Sequence, residues 1–252
     1  MGVVTLNLVD IALSSHKDMN LFWKLFEERA ELCHKAHKER IKYISKTKAS
    51  EAPIMWMYGA LARLNADDTI DKLFYDGYAT CSLGYAGLYE CVKYMTGFSH
   101  MEEGGKDFGL AVMQALNDKC EQWKREENIA YSVYGTPMET GVEKFAKALK
   151  KRFGVVEGIT DRNYITNSYH HWVRDEVDPF TKLSDEGHYQ KFSQGGLDNL
   201  YSRKATSKYV NLVQGCAHMS ANDRHFLEIS CQALFCIARK VYRLISKARD
   251  GR

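Results

Sequence analysis

The stretch YSVYGTPMETGVEKFAKAL, from Tyr131 to Leu149, joins a strand-like run to an amphipathic helix through one short turn, and no other part of the chain constrains the fold as much. Tyr131 to Tyr134 carries aromatic and β-branched residues, Gly135 permits a tight bend, and Pro137 has its φ preset for a first helical turn. Thr136 fits the cap position, where its hydroxyl would accept from an amide two or three residues on. The remaining free amides and the positive end of the helix dipole then favour an anion such as phosphate. On this reading Glu139 lies in the first turn and Tyr134 ends the strand, so both side chains could line one cavity. The same residues also describe an ordinary capped helix with an exposed first-turn acid, the commoner arrangement, and spacing alone leaves both open.

Around this turn, strand and helix signals alternate, which argues for an α/β fold. Strands are expected from Gly2 to Leu8, Tyr78 to Leu83, Tyr131 to Tyr134 and Asn163 to Tyr169. Helices are expected from about Lys17 to Ile44, Thr69 to Tyr75, Gly87 to Met95 and Lys106 to Glu126. In SLGYAGLYE, Gly84 and Gly87 flank Tyr85 and allow a sharp turn with close approach of another group. No Lys-Ser/Thr follows as in a P-loop, and a strand-to-helix turn with Tyr85 packed explains the segment equally well. If YITNSYHHW is a strand, Tyr164, Thr166, Ser168 and His170 share one face, and Ile165, Asn167 and Tyr169 share the other. A histidine in such a run is more often a hydrogen-bonded structural residue than a base.

With 252 residues, 45% of them hydrophobic, and only three prolines, the chain can bury one large core. Its apolar start lacks a basic leader, and no run is long enough to span a membrane. Seven cysteines without a CxxC pair suggest free thiols in a reducing compartment, so a cytoplasmic location is expected. The net charge of +3 is uneven. From Leu197 to Arg252 ten Lys or Arg face four Asp or Glu, a surplus of six, leaving −3 on the first 196 residues.

YGTPME closely resembles the Tyr-Gly/Ser-Thr-Pro-x-Glu motif of the anaerobic, class III, glycyl-radical ribonucleotide reductases. GVVTLNL from Gly2, RLNADD from Arg63, SLGYAGLYE from Ser82, GVVEGITDRNYITNSYH from Gly154 and VDPFTKL from Val177 agree with the same family in the same order. The resemblance runs from Gly2 to Gly196. It implies part, mostly the second half, of a ten-stranded α/β barrel of the glycyl radical enzyme type, with 1–196 as the partial barrel and 197–252 as an unmatched basic tail. That tail is expected to be helical from about residue 223. Read-through past a coding boundary would also account for it.

In such an enzyme the ribose 2′-hydroxyl of a ribonucleoside triphosphate is replaced by hydrogen. The resemblance implies a stored glycyl radical, formate as reductant and a C-terminal zinc site, with no cofactor or metal held by this window. It also implies a homodimer activated by a separate iron-sulfur, S-adenosylmethionine-dependent enzyme, and neither a membrane nor a nucleic-acid partner. Tyr134 and Glu139 match active-site positions, Glu139 for polar contact or proton management and Tyr134 for shaping the pocket. Thr136 and Met138 are candidates at the triphosphate, with Ser82, Gly84, Tyr85, Asn167, Ser168 and His170 as further substrate contacts. The family's radical cysteine and glycyl loop match nothing here, so the isolated chain is expected to be inactive alone, needing the missing segments. Cys81 is better read as a small buried thiol than as a radical carrier. Val9 and Asp10 replace the family's usual Pro-Arg, reversing a local charge. A non-catalytic nucleotide-binding or interaction module with a basic tail is the rival expectation.

Overall fold

The structure, a computed structural model, describes residues 2–135, 138 and 140–195. It divides into two compact units, Met1–Asp175 with Ser184–Asn199, and Glu176–Leu183 with Leu200–Arg252. In the described part of the second unit, Asp178 caps a turn by accepting the amides of Phe180 and Thr181.

The first unit is built on a three-stranded parallel sheet in the order β1 (Gly2–Asn7), β2 (Thr80–Ala86), β3 (Ala130–Tyr134). Between β1 and β2 run α1 (Leu8–Ser14), α2 (Met19–Ile44) and the short α3 (Pro53–Trp56); between β2 and β3 run α4 (Leu88–Thr96) and α5 (Glu103–Glu127). After β3 come α6 (Gly141–Phe153) and α7 (Pro179–Gln190).

Alternation along the strands sorts the side chains. Leu6, Cys81, Leu83, Tyr85, Tyr131 and Val133 enter one buried cluster with Phe22, Phe26 and Ala30 of α2 and Met113, Leu116 and Trp123 of α5. A second, smaller cluster joins Val9 and Leu13 of α1 to Val142, Ala146 and Leu149 of α6, with Ala86, Ile159 and Ile165. This second core packs α1 and α6 together beyond the ends of the strands.

The substitution at Val9 and Asp10 is accommodated on both sides of α1. Val9 is fully buried, while Asp10 is met by Arg29 at 3.5 Å and by Arg152 at 2.5 Å. Asn7 caps the helix, its Oδ1 accepting from the amides of Val9 and Asp10.

Three expectations are corrected. Leu8 opens a helix instead of ending a strand. The helix after β3 begins at Gly141 with Thr140 at its cap position, four residues beyond the expected start at Pro137. Residues 163–169 form no strand: Asn167 alone bridges, antiparallel, to Ala86. There Ser168 turns the chain with φ +47°, in the left-handed region, which breaks an extended run. The expected polar and apolar faces dissolve with it, since Ile165, Thr166, Ser168, Tyr169 and His170 are all buried.

Candidate functional site

The sheet face opposite the main core carries Val3, Thr5 and Asn7 on β1, Ser82, Gly84 and Ala86 on β2, and Ser132 and Tyr134 on β3. Register sets Val3, Ser82 and Ser132 in one row, and Thr5, Gly84 and Tyr134 in the next. Six of these eight are half-buried, the exceptions being Gly84 and Ala86. Parallel sheets are normally covered on both faces and read as continuous apolar runs. Here the second face is mostly of small or polar residues, and six of its eight are only partly shielded.

At the C-terminal ends of the strands the loops converge. The Met138 amide donates to Asn167 Oδ1 at 3.2 Å, tying the turn after β3 to the loop after α6. Gly87, with φ +79°, donates its amide to the Thr166 carbonyl at 2.7 Å. A Cβ on Gly87 would collide with Val9 Cγ2, so the close approach of β2, α1 and the 166 loop requires glycine.

Of the expected site residues, Ser82, Gly84 and Tyr134 share the half-open face, and Met138 and Asn167 meet at its end. Thr136 and Glu139, with the expected cap and first-turn acid, lie outside the described residues. Tyr85 stands on the other face, fully buried in the main core, its hydroxyl 3.0 Å from Ser193 Oγ. Ser168 is buried at its strained corner, its Oγ without a hydrogen-bond partner among the described residues. His170 is buried with Nδ1 3.2 Å from Glu186 Oε1 of α7. Cys81 is buried, and desolvation pushes its thiol up to about 11. Among the described residues no group of three His, Cys, Asp or Glu is arranged to hold a metal ion, and no helix is long and apolar enough to cross a membrane.

Sequence reasoning missed Glu90 and Arg162, which the structure joins beneath the loop. Glu90, fully buried in the first turn of α4, accepts on Oε1 from Arg162 Nη2 at 2.8 Å and from the Thr166 amide and hydroxyl, both at 2.9 Å. Burial raises its pKa, against the pull of the Arg162 charge and the Thr166 donors. Two residues 72 positions apart give no local signal of pairing.

The sequence model of a family described as anaerobic ribonucleoside-triphosphate reductase matches residues 1–238, past Gly196. The anaerobic ribonucleoside-triphosphate reductase of Escherichia coli (strain K12) is 40% identical over 200 residues, covering 78% of this chain and 28% of that protein. The protein of the same name from Enterobacteria phage T4 is 36% identical over 201 residues, 78% of this chain and 32% of that one. The chain therefore spans less than a third of the length of these relatives. In fold it is similar to the anaerobic ribonucleotide reductase from Thermotoga maritima crystallised with citrate in the active site, with a TM-score of 0.60 at 18% identity over 84% of this chain and 38% of the other.

Proposed function

The chain belongs to the anaerobic ribonucleoside-triphosphate reductase family, and on that premise we propose that its half-open sheet face is the nucleotide-facing inner wall of a reductase barrel. The observation that carries this reading is the contrast between the two faces of one parallel sheet. One is sealed by Phe22, Phe26, Met113 and Trp123, and the other offers Thr5, Ser82 and Tyr134 incompletely covered around a buried Gly84. Small residues in the middle of the wall let a sugar come close to the backbone. Ligands in parallel α/β sheets collect at the carboxyl ends of strands, where Met138 and Asn167 meet.

In this reading the β1–β3 sheet is a run of the ten-stranded barrel, and the substrate is a ribonucleoside triphosphate whose 2′-hydroxyl is replaced by hydrogen. Tyr134 shapes the pocket at the sugar, Glu139 makes polar contact or manages a proton there, and Thr136 with the amides after it serves the triphosphate. Ser82 and Gly84 form the floor, and Asn167 fixes the turn by holding the Met138 amide. The complete enzyme would store a glycyl radical, use formate as reductant, carry a C-terminal zinc site, and work as a homodimer served by the activating enzyme.

Saturation-transfer NMR of the 252-residue chain with CTP tests the wall directly and reads weak binding. Transfer to ribose protons is expected from the parent chain and should fall at least fivefold in Ser82→Trp, which fills the floor. Absence of transfer, or transfer unchanged in Ser82→Trp, would defeat the proposal.

A further inference from the structure

Thr166 has no polar atom left free. Its amide and hydroxyl both donate to Glu90 Oε1, and its carbonyl accepts from the Gly87 amide. The residue before Asn167 is therefore held at every hydrogen-bonding group, and the direction in which Asn167 leaves it is set from α4. Glu90 is in turn fixed by Arg162, whose guanidinium lies among three aromatic rings, 5.7 Å from Tyr89, 5.3 Å from Tyr164 and 5.0 Å from Trp172. Tyr89 and Trp172 stack at 5.9 Å, and Trp172 Nε1 donates to the Tyr164 hydroxyl at 3.0 Å, so the cage is itself tied shut.

Holding a carboxylate this deep is a poor route to stability. Desolvation of both charges offsets most of their attraction, and an apolar pair of similar volume commonly does as well. What the ion pair supplies is a fixed direction: Glu90 Oε1 gathers three donors from Arg162 and Thr166 while the guanidinium is seated among its rings, so the carboxylate tolerates little sliding. The loop needs such fixing, because Ser168 sits in a left-handed conformation that a β-carbon disfavours and that persists only where surrounding contacts hold it.

We propose that Glu90 and Arg162 are positioning residues: together they clamp the 162–168 loop so that Asn167 Oδ1 meets the Met138 amide, and thereby fix Met138 at the end of the half-open face. This rests on the reading of that face as the nucleotide-facing one, and it makes the placement of Met138 at its end depend on a buried pair that touches no substrate. Neither residue donates or accepts a proton in the reaction; both act through Thr166 and Asn167.

The amide resonance of Met138 in the intact 252-residue chain reports the clamp without any nucleotide. Asn167→Ala removes the acceptor and marks the released position of that resonance. Glu90→Gln keeps an acceptor for Thr166 but takes the charge from Arg162, and should move the Met138 amide at least halfway to the released position while the Leu116 amide and the Trp123 indole stay in place. Arg162→Lys keeps the charge but loses the planar fork and its seat among the rings, and should shift Met138 in the same direction; it decides the matter if Glu90→Gln does not fold. A Met138 resonance that stays at the parent position in these variants, or moves only in step with the whole core, would overturn the clamp. Loss of nucleotide transfer with the Met138 shift intact would count against the proposed function and leave the clamp standing.

Discussion

His100 is held in one protonation state by its surroundings. Its Nε2 lies 2.7 Å from the Tyr169 carbonyl, which can only accept, so Nε2 carries the proton. Nδ1 is buried with no hydrogen-bond partner among the described residues. Burial, the largest influence, pushes the pKa of His100 down to about 4, against the pull of that carbonyl, and His37 is lowered to about 4 chiefly by the same cause. An unfolded histidine titrates near 6.5, so between pH 6.5 and 4 the unfolded chain binds more protons than the folded one. The contribution is complete above pH 6.5 and is lost as pH falls toward 4, amounting for His100 to on the order of 3 kcal/mol across the window. Thermal midpoints should decline over that range. His100→Gln, which can still donate to Tyr169 but does not titrate, should flatten the decline; an unchanged pH slope would refute the assignment. The sequence could name histidines but not their burial, and it gave no sign that Glu186 stands beside His170.

At the scale of elements, what the sequence made legible was whatever depends on local pattern. Helix α2 follows from Phe22, Phe26, Ala30 and Cys33 on one stripe, and β3 from its aromatic and β-branched run, because a single period suffices to bury one face. The segment at 163–169 was read wrongly because its alternation is real but its backbone bonds are not those of a ladder: Thr166 spends them on Glu90 and Gly87, and Ser168 turns the corner. Helix α6 starts late, and nothing in the run from Pro137 to Thr140 marks that delay. The glycines of SLGYAGLYE signalled a turn without saying which of them is indispensable. The structure assigns that to Gly87, whose φ is +79° and whose missing Cβ makes room for Val9. Gly87→Ala should destabilise the fold by about 2–4 kcal/mol, combining roughly 1–2 kcal/mol for the left-handed backbone with the strain of overpacking a buried contact. Chemical denaturation measures it. A loss under about 1 kcal/mol, no more than an ordinary exposed left-handed site would give, would show that α1 yields easily and that the close approach is not needed.

For the whole molecule, the question is where the folding unit closes. Among the described residues the last buried member of either cluster is Tyr189, with Phe192 packed against the larger one, and three further attachments follow α7. Asn117 Nδ2 donates to the Phe192 carbonyl at 2.7 Å, the Tyr85 hydroxyl meets Ser193 Oγ at 3.0 Å, and the Gly195 amide donates to the Val133 carbonyl at 2.8 Å on the outer edge of β3. Tyr85 is fully buried, and stripping a buried polar group of its partner costs about 1–3 kcal/mol, while Asn117 would keep only its bond to the Met113 carbonyl. A chain ending at Gln190 forfeits all three attachments and should melt roughly 5–15 °C lower than one ending at Gly196, at about 2–4 °C per kcal/mol for a domain of this size. A chain ending at Gly196 keeps them, and we propose that it retains the melting midpoint of the full chain, the basic segment from Leu197 to Arg252 adding charge but no share of this core. The family match that continues to residue 238 makes the comparison discriminating. If the segment after Gly196 works as part of the fold, its removal must lower the midpoint as well. Calorimetry of the three chains separates these outcomes: a clear drop on removing 197–252 would move the boundary outward, and equal midpoints for the chains ending at Gln190 and Gly196 would mean that the attachments to Asn117, Tyr85 and Val133 contribute nothing to closing the unit.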